Sequence, residues 1–323
     1  MSILITGGAG FVGSHLVERL LAETQQQVLV LDNFNDYYDP RLKRANARGL
    51  VDSARVTVVE GDFRDAALVG DLLQRHQVRQ IVHLGASPGV PYGQVHPLIT
   101  TDNNVQGTVV LLDAARRQGV ERFLFAASST VYGMGAAIPF VEDAPLGTPA
   151  SVYGATKRSG ELLGLSYHAH FGLPFVSLRL FNVYGPRLRP ELALAAFARA
   201  VLDDRPLTLY GDGSVERDFT HISDICSGII AALTADNVAG QCINLGNHRP
   251  IAVRDLIALI AQIAGKPVTI NYQPARKEDL PRTCADISKA RRLLGYEPRV
   301  RIEEGVREYV EWMRGSGLRI GDC

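Results

Sequence analysis

The sequence lacks an excess of charge of either sign: lysine and arginine together number 34, and so do aspartate and glutamate. No overall field therefore attracts nucleic acid or an anionic membrane, and any anionic ligand must be held by local groups. No apolar stretch is long enough to span a bilayer, and no basic leader precedes an apolar run. The composition predicts a cytoplasmic protein that binds a small molecule rather than nucleic acid or a membrane.

Cysteine is also scarce, and the four residues, Cys226, Cys242, Cys284 and Cys323, form no C-x-x-C pair. They show no metal-type spacing with histidine either, so we predict idle thiols, no metal site and a reducing compartment. With 323 residues, 46% of them hydrophobic, the chain is long enough for one large core or two unequal ones.

The first half of the chain alternates short β-branched runs with longer segments of helical period. The strand-like runs are 2–6, 27–32, 56–62, 80–86, 122–128 and 174–180, and the amphipathic segments are 11–22, 66–76, 99–118 and 152–171. This alternation predicts parallel strands joined by right-handed crossovers, which is an α/β fold with a doubly wound (Rossmann) sheet.

After residue 180 the rhythm breaks, because Pro186, Pro190, Pro206 and the turn at 211–213 separate short elements. We predict a larger domain at 1–180, which contains the doubly wound sheet, and a smaller domain made mainly of 181–323. The segment 215–246 is expected to return to the first domain, since 241–245 resembles another strand of the main sheet. The two domains are therefore predicted to be interleaved.

A cluster of glycines lies between the first predicted strand and the first predicted helix, with the sequence G-G-A-G-F-V-G. Glycine permits a tight turn and lets backbone amides approach a pyrophosphate, while a helix N-terminus favours negative charge. The spacing is G-x-x-G-x-x-G rather than G-x-G-x-x-G, and such a cluster can be a simple turn. In this context we predict a dinucleotide site formed by Gly7, Gly10, Phe11, Val12 and Gly13.

Two carboxylates follow at the ends of later strands. Asp32 can accept hydrogen bonds from an adenosine ribose and would repel a 2'-phosphate, which favours NAD over NADP. Asp62 ends the third predicted strand, where a contact with adenine and a strand-end cap are both open interpretations. Arg41, Lys43 and Arg44 follow Asp32 closely and are interpreted as a solvated helix face.

A second group of residues carries reactive side chains. Tyr153 and Lys157 are one turn apart on a predicted helix, so they share a face. A tyrosine with a pKa of about 10 is a poor base near neutrality unless cations stabilise its phenolate. Ser128, Ser129 and Thr130 place hydroxyls just past an apolar strand, at the edge where open parallel sheets bind ligands.

The glycine turn, the strand-end hydroxyls and Tyr-x-x-x-Lys, in this order, resemble the extended short-chain dehydrogenase/reductase family over nearly the whole chain. Within that family the sequence is most similar to the UDP-glucuronate 4-epimerases. The segments that carry this likeness are D-N-F-N-D-Y-Y at 32–38, V-Y-G-P at 183–186, R-D-F-T at 217–220, P-R-T at 281–283, A-D-I-S-K at 285–289, L-G-Y at 294–296 and I-E-E-G-V at 302–306.

The resemblance implies C4 epimerisation of UDP-glucuronate to UDP-galacturonate, through a transient 4-keto sugar and a tightly held NAD+. Tyr153 would be the general base and later the acid, Lys157 would bind the nicotinamide ribose and depress the tyrosine pKa, and Ser128 would hydrogen-bond the reacting oxygen. By position, the cofactor contacts would also include Asn33, Asp62, Phe63, Leu84 and Ala86.

The resemblance also implies substrate contacts. Their predicted members are Ser87, Ser129, Thr130 and Asn182 for the sugar, Arg217 and Arg276 for the diphosphate, Arg189 and then Arg187 for a C6 carboxylate, and Asp279. Arginine suits these anions because its planar fork chelates two oxygens. Asn182 stands where uronate epimerases often carry threonine, Pro91 replaces an arginine, and Glu278 replaces a glycine, so the sequence departs from the family pattern near the substrate.

Related reactions differ at few positions. Decarboxylases of UDP-glucuronate and nucleotide-sugar 4,6-dehydratases carry an acid where this chain has Thr130, and dehydratases add a second acid where it has Ser129. A UDP-glucose/UDP-galactose 4-epimerase stays open as the alternative, followed by the decarboxylase and by a non-catalytic NAD-binding regulator. The segments 99–118 and 152–171 are apolar on more than one face, which predicts a homodimer, although core packing also explains the pattern.

Overall fold

The computed structural model describes residues 2–275 and 280–315. The strands in chain order are β1 (Ser2–Thr6), β2 (Gln27–Asp32), β3 (Val56–Glu60), β4 (Val78–His83), β5 (Arg122–Ser128), β6 (Phe175–Leu180), β7 (Asn182–Tyr184), β8 (Leu207–Tyr210), β9 (Glu216–Arg217), β10 (Phe219–His221), β11 (Gln241–Leu245), β12 (Ile251–Ala252) and β13 (Ile270–Gln273).

The helices in chain order are α1 (Phe11–Glu23), α2 (Pro40–Arg48), α3 (Ala66–Arg75), α4 (Val90–Val95), α5 (Pro97–Thr101), α6 (Gly107–Gln118), α7 (Val152–Phe171), α8 (Ala193–Leu202), α9 (Ile222–Thr234), α10 (Val253–Ala264), α11 (Ser288–Leu294) and α12 (Ile302–Gly315). A π-helical turn at Asp102–Gln106 joins α5 to α6, and a 3₁₀ turn at Ser129–Tyr132 follows β5.

Seven parallel strands form the central sheet in the order β3-β2-β1-β4-β5-β6-β11. The order reverses between β1 and β4, and the predicted doubly wound α/β fold is confirmed. In such a sheet, ligands bind in the crevice beyond the carboxyl ends of the strands, at the point where the order reverses. That crevice contains the glycine turn after β1.

Side chains of the sheet alternate between two apolar layers. Ile3 and Ile5 of β1 belong to one layer together with Leu16 of α1, whereas Leu4 belongs to the other layer together with Leu111 of α6. All five side chains are fully buried. Both faces of the sheet are therefore covered, which explains why the strands are continuous apolar runs rather than alternating ones.

Two predicted strands and one predicted helix need correction. The strands predicted at 56–62 and 80–86 end at Glu60 and His83. The second strand ends early because the chain after β4 turns toward the glycine turn, where the Gly85 amide donates to Thr6 Oγ1 at 3.2 Å. The helix predicted at 99–118 is not continuous, since the π-helical turn interrupts it. Such turns are frequent at functional sites.

The C-terminal half of the chain contributes both to the main sheet and to smaller sheets. Strand β11 pairs in parallel with β6, with Gln241 opposite Val176 and Leu245 opposite Leu180. Three two-stranded sheets, β7–β10, β9–β12 and β8–β13, lie outside the main sheet. The division into two domains at residue 180 stays a prediction.

Candidate active site

One cavity of about 460 Å³ lies beyond the carboxyl ends of the central strands. Many of the predicted site residues line it: Gly7, Gly10, Phe11, Val12, Gly13, Asp32, Asn33, Phe63, Leu84, Ala86, Ser128, Ser129, Thr130, Tyr153, Lys157, Asn182 and Arg189. The cavity thus brings together residues from nearly the whole first half of the chain and from the turn after β7. Their individual roles stay predictions.

The glycine turn leaves room for a ligand at the start of α1. Gly7 has φ +69°, and a Cβ added to Gly13 would lie 2.4 Å from the carbonyl oxygen of Gly7. Gly10 precedes α1 as its N-cap and offers no side chain to the first amides, and the first turn contains no acidic residue. These free amides and the helix dipole suit a pyrophosphate, so the turn fits a dinucleotide.

Asp32 is buried at the end of β2 and already accepts two backbone hydrogen bonds. Its carboxylate oxygens accept from the Ala9 amide at 3.2 Å and from the Phe34 amide at 3.0 Å. Burial raises the pKa of Asp32, while the nearby Lys43 ammonium and the two amides act to lower it. The carboxylate is therefore fixed in orientation beside the glycine turn.

The solvated helix face predicted at 41–44 is wrong for Lys43. Its side chain is buried and donates to Asn35 Oδ1 at 2.5 Å, and it lines the cavity. Arg41 and Arg44 do lie at the surface, where they pair with Asp39 and Glu60. Lys43 is two residues from Arg41 and one from Arg44. Its inward direction depends on tertiary packing, which the charge pattern of the helix does not reveal.

Asp62 does not line the cavity. It follows β3 by a short loop, and its carboxylate accepts from Arg64 Nη2 at 2.6 Å and from Asn33 Nδ2 at 3.3 Å. The Arg64 hydrogen bonds hold the pKa of Asp62 below its usual value. Asp62 therefore has local partners, and its contact with adenine stays a prediction, while Asn33 lies on the cavity wall.

Tyr153 and Lys157 lie near the start of α7, which Ser151 caps by accepting from the Gly154 amide at 3.0 Å. Lys157 Nζ donates to the Ala126 carbonyl at 2.7 Å and lies 6.0 Å from the centre of the Tyr153 ring. Burial lowers the pKa of Lys157 to about 7, and Glu161 acts in the opposite direction. The shared helix face inferred from the i, i+4 spacing is present.

The phenol of Tyr153 has two partners on the cavity wall. Burial raises its pKa, whereas the charge of Arg189 and a hydrogen bond with Ser128 lower it. Ser128 ends β5, and its Oγ accepts from the Thr130 amide at 3.2 Å and from the Thr130 hydroxyl at 3.0 Å. Ser128, Tyr153 and Arg189 thus all line the same cavity.

Ser87 lies beside the cavity rather than on its wall. Its amide donates to Asn104 Oδ1 at 2.7 Å, and its hydroxyl accepts from Asn103 Nδ2 at 2.6 Å. Asn103 itself lines the cavity and was not among the predicted residues. The sequence signal that could have identified Asn103 was the pair of asparagines at 103–104 within a helical pattern. Asparagine favours caps and turns over helix interiors, so such a pair in a helix indicates a special role.

Three of the four predicted arginines belong to the described residues, and their surroundings differ. Arg189 lines the cavity, while Arg187 points away from it and donates to both carboxylate oxygens of Glu18 on α1. Arg217 does not line the cavity; it donates to the Leu280 carbonyl at 2.7 Å. Arg276 and Asp279 lie outside the described residues.

Several further residues of the cavity wall were missed. Tyr37 and Tyr38 line it, and the Tyr37 ring contacts that of Tyr92 at 4.6 Å between centroids. Both belong to the D-N-F-N-D-Y-Y segment, which had served only as a mark of resemblance. Glu191, which does not line the cavity itself, was missed as well; its Oε1 lies 3.2 Å from Arg189 Nη1. The sequence signal for Glu191 was its position two residues after Arg189, where a carboxylate can pair with the guanidinium.

Comparison with known proteins shows which family has this sequence and fold. The model of the family described as GDP-mannose 4,6 dehydratase matches residues 4–309. The chain belongs to the NAD-dependent epimerase/dehydratase family of extended short-chain dehydrogenases. Members of this family act on nucleotide sugars, so the chain is an enzyme of that class. The dependence of the family on NAD confirms the predicted cofactor, and the residues of the glycine turn and Asp32 fit it.

Three members of the epimerase/dehydratase family illustrate the range. UDP-glucuronate 4-epimerase 3 of Arabidopsis thaliana is 38% identical over 97% of this chain and 76% of its own length. A crystal structure of UDP-glucuronic acid 4-epimerase from Bacillus cereus with UDP-glucuronic acid and NAD is 36% identical, with a TM-score of 0.93 over 97% of this chain and 99% of that one. DesIV, a dTDP-glucose 4,6-dehydratase from Streptomyces venezuelae, is 34% identical, with a TM-score of 0.91 over 97% of both chains.

Other sites are not evident in the residues that the structure describes. Within them, no group of three or more histidine, cysteine, aspartate or glutamate side chains is arranged to hold a metal ion. None of the helices in 2–275 and 280–315 has the length and apolarity needed to cross a membrane. Cys226, Cys242 and Cys284 are free thiols, and Cys323 lies outside the described residues.

Proposed function

We propose that this enzyme interconverts UDP-glucuronate and UDP-galacturonate by epimerisation at C4. The observation that carries the proposal is the Arg189 guanidinium, which lies on the wall of the same cavity as Tyr153 and has a buried Nη1 without a hydrogen-bond partner in the described part of the chain. A buried donor of this kind favours a ligand that brings an acceptor. A sugar carboxylate provides one with two oxygens in the plane of the fork.

The proposed chemistry uses Tyr153 as the base that removes the proton of the 4-hydroxyl and as the acid that later returns it. Ser128 hydrogen-bonds the same oxygen, and Lys157 binds the nicotinamide ribose. Bound NAD+ supplies a reversible acceptor for the hydride at C4. Because burial raises the pKa of Tyr153, the reaction depends on positive charge that stabilises the phenolate, and Arg189 already acts in that direction.

The same cavity argues against the neighbouring reactions. Dehydration and decarboxylation in relatives are associated with acids at the positions of Ser129 and Thr130, and here both side chains carry only hydroxyls. In the 4-keto sugar the carboxylate at C6 is β to the ketone and is prone to be lost as carbon dioxide. An arginine that fixes the carboxylate keeps it out of the geometry for that loss.

A second candidate is a UDP-glucose/UDP-galactose 4-epimerase. Asn182 favours it, because this cavity residue stands where uronate epimerases often carry threonine. Pro91, in place of an arginine, favours it as well. A neutral CH₂OH group needs no guanidinium partner, so the two candidates differ in what Arg189 contributes to substrate binding.

The test is turnover of UDP-glucuronate in the presence of NAD, followed by chromatography of the sugar nucleotides. UDP-galacturonate is the expected product. UDP-pentose as the main product would replace the proposal by a decarboxylase, and UDP-galactose formed from UDP-glucose alone would replace it by the second candidate. Absence of turnover by a protein that binds NAD would indicate a non-catalytic regulator.

An Arg189→Gln variant tests the carboxylate contact directly. Because a hydrogen bond to a charged group contributes about 1.5–3 kcal/mol, we expect the KM for UDP-glucuronate to rise about tenfold or more, and UDP-pentose to appear. Arg205→Gln is the control, since Arg205 pairs with Asp203 at the surface. An unchanged KM and no UDP-pentose would remove Arg189 from this role.

A further inference from the structure

Arg189 has a carboxylate partner from its own chain. Its Nη1 lies 3.2 Å from Glu191 Oε1, and the two side chains are 16% and 36% exposed. Both stand on the turn between β7 and α8, where the Leu188 amide donates to the Gly185 carbonyl and the Leu192 amide donates to the Arg189 carbonyl. The positive charge of Arg189 is therefore offset before any substrate arrives.

This pair is poorly aligned in comparison with two others. Arg179 and Glu161 form a bidentate pair at 2.9 and 3.0 Å, and both are almost fully buried. Arg187 reaches both carboxylate oxygens of Glu18. Arg189 Nη1, by contrast, is at ion-pair distance from Glu191 but makes no hydrogen bond within the described residues. A second carboxylate with better geometry can therefore replace Glu191.

The surroundings of the pair allow such an exchange. Arg189 lines the cavity, whereas Glu191 does not, and more of the Glu191 side chain is open to water. The guanidinium carbon of Arg189 lies 5.7 Å from the centre of the Tyr37 ring, which keeps it on the cavity side. Burial raises the pKa of Tyr37 to about 12, Arg189 lowers it and Glu191 raises it, so the three groups are close together.

We propose that Glu191 forms an ion pair with Arg189 in the sugar-free enzyme and that the C6 carboxylate of the sugar displaces Glu191 from this pair. Glu191 is then a specificity-determining residue. This inference rests on the proposed function. A uronate gains Arg189 only by displacing Glu191 from it, whereas a sugar with a neutral C6 group leaves the pair in place. Glu191 thus lowers the affinity for carboxylates in general and spares neutral sugars, since specificity is a difference between affinities.

The experiment measures ligand affinity in NAD-loaded enzyme with a Tyr153→Phe background, which prevents turnover during the titration. UDP-glucuronate, UDP-glucose and UDP are titrated against this protein and against its Glu191→Gln form. We expect Glu191→Gln to bind UDP-glucuronate about fivefold more tightly, as the release of a partly exposed ion pair allows, and to leave the affinities for UDP-glucose and UDP within about twofold.

Two further variants separate this mechanism from simple electrostatics. Glu18→Gln removes an equivalent negative charge from the partner of Arg187, outside the cavity, and should leave the affinity for UDP-glucuronate unchanged. In an Arg189→Gln background, Glu191→Gln should have no effect on uronate binding. Tighter binding that persists in that background, or that extends equally to UDP, would come from charge removal alone and would overturn the inference.

The opposite result also decides the question. If Glu191→Gln binds UDP-glucuronate more weakly or equally well, Glu191 does not compete with the sugar, and the inference fails even where wild-type enzyme forms UDP-galacturonate. If wild-type enzyme neither binds nor converts UDP-glucuronate, the proposed function fails and takes the inference with it. The wild-type turnover assay therefore distinguishes the two failures.

Discussion

Two walls of the same cavity are built by different means. The glycine wall consists of the turn at 7–13, Asp32 and Gly85, and behind it lies a buried chain of hydrogen bonds from Thr6 to His83 and on to Thr108. The arginine wall consists of Ser129 and Thr130 on the 3₁₀ turn after β5, Asn182 at the start of β7 and Arg189 on the turn between β7 and α8. The first wall depends on backbone shape and on a carboxylate fixed by two backbone amides, whereas the second depends on side chains, among them Arg189 with its ion-pair partner Glu191.

The different construction of the two walls suits the two ligands that they are proposed to bind, a dinucleotide and a sugar. A dinucleotide held in one position is served by backbone amides and a carboxylate whose orientation is fixed before binding, because preorganised groups lose little entropy when the ligand arrives. In the proposed epimerisation the sugar presents both faces of C4, and that requires a wall that can exchange contacts. The pair of Arg189 and Glu191 has that property, and the buried Thr6–His83–Thr108 chain does not.

The largest expected effect comes from breaking the shape of the glycine wall with Gly13→Ala. The added Cβ would lie 2.4 Å from the Gly7 carbonyl oxygen and 2.5 Å from Gly8 Cα, and backbone atoms cannot swing aside. Overpacking of this kind costs about 1–3 kcal/mol, so we expect the affinity for NAD to fall by about 5- to 150-fold, measured by calorimetric titration of the apoprotein.

A matched glycine in the same half of the chain provides the control. Gly70 lies inside α3, and a Cβ added there would have no heavy atom within 4 Å among those compared. Gly70→Ala should leave NAD binding unchanged and raise the free energy of unfolding by about 0.5–1 kcal/mol, because alanine has less freedom to lose on folding. Equal NAD affinity in Gly13→Ala would show that the turn does not depend on glycine at that position.

The glycine wall was largely predictable from the sequence because its determinants are local. A strand, a glycine turn and a helix succeed one another within the first 23 residues, and each leaves its own period or spacing. Asp32 follows at the end of the next strand. What failed was the direction of Lys43, since a lysine on a short helix points inward only when another part of the chain, here Asn35, offers it acceptors.

A smaller effect tests whether the His83 imidazole, which lies in the hydrogen-bond chain behind the glycine wall, is uncharged in the folded protein. Burial lowers the pKa of His83 to about 3, and Lys157 acts in the same direction. In the unfolded chain the ring titrates near pH 6.5. Between these values the unfolded state binds one more proton, so the His83 contribution to stability falls as the pH decreases, by about 1.4 kcal/mol per pH unit.

The measurement is urea unfolding of wild-type protein and of His83→Gln at several pH values from 6.5 down to 4.5. Glutamine retains a hydrogen-bonding side chain but does not titrate there. We expect the variant to be less stable at pH 6.5 and the difference between the two proteins to shrink steadily as the pH falls. Parallel pH profiles would mean that His83 is not buried in its neutral form.

The arginine wall was less predictable because its members are chosen by tertiary geometry. Arg187 and Arg189 are two residues apart in one turn, and both were plausible partners for a carboxylate. Arg187 has φ +65°, which directs its side chain toward α1 and Glu18, while Arg189 turns to the cavity. Nothing in the spacing of the two arginines encodes that choice, since it depends on where Glu18 lies after folding.

The smallest expected effect tests whether Arg187 and Arg189 have different roles. In Arg187→Gln, the pair with Glu18 is lost, but that pair lies outside the cavity and the Glu18 carboxylate is 46% exposed. Pairs of this kind contribute at most about 1 kcal/mol to stability. We expect a small decrease in the melting temperature and a KM for UDP-glucuronate within about twofold of wild type. A tenfold rise in KM would instead mean that Arg187 leaves Glu18 when the sugar binds, and the arginine wall would then contain two exchangeable cations rather than one.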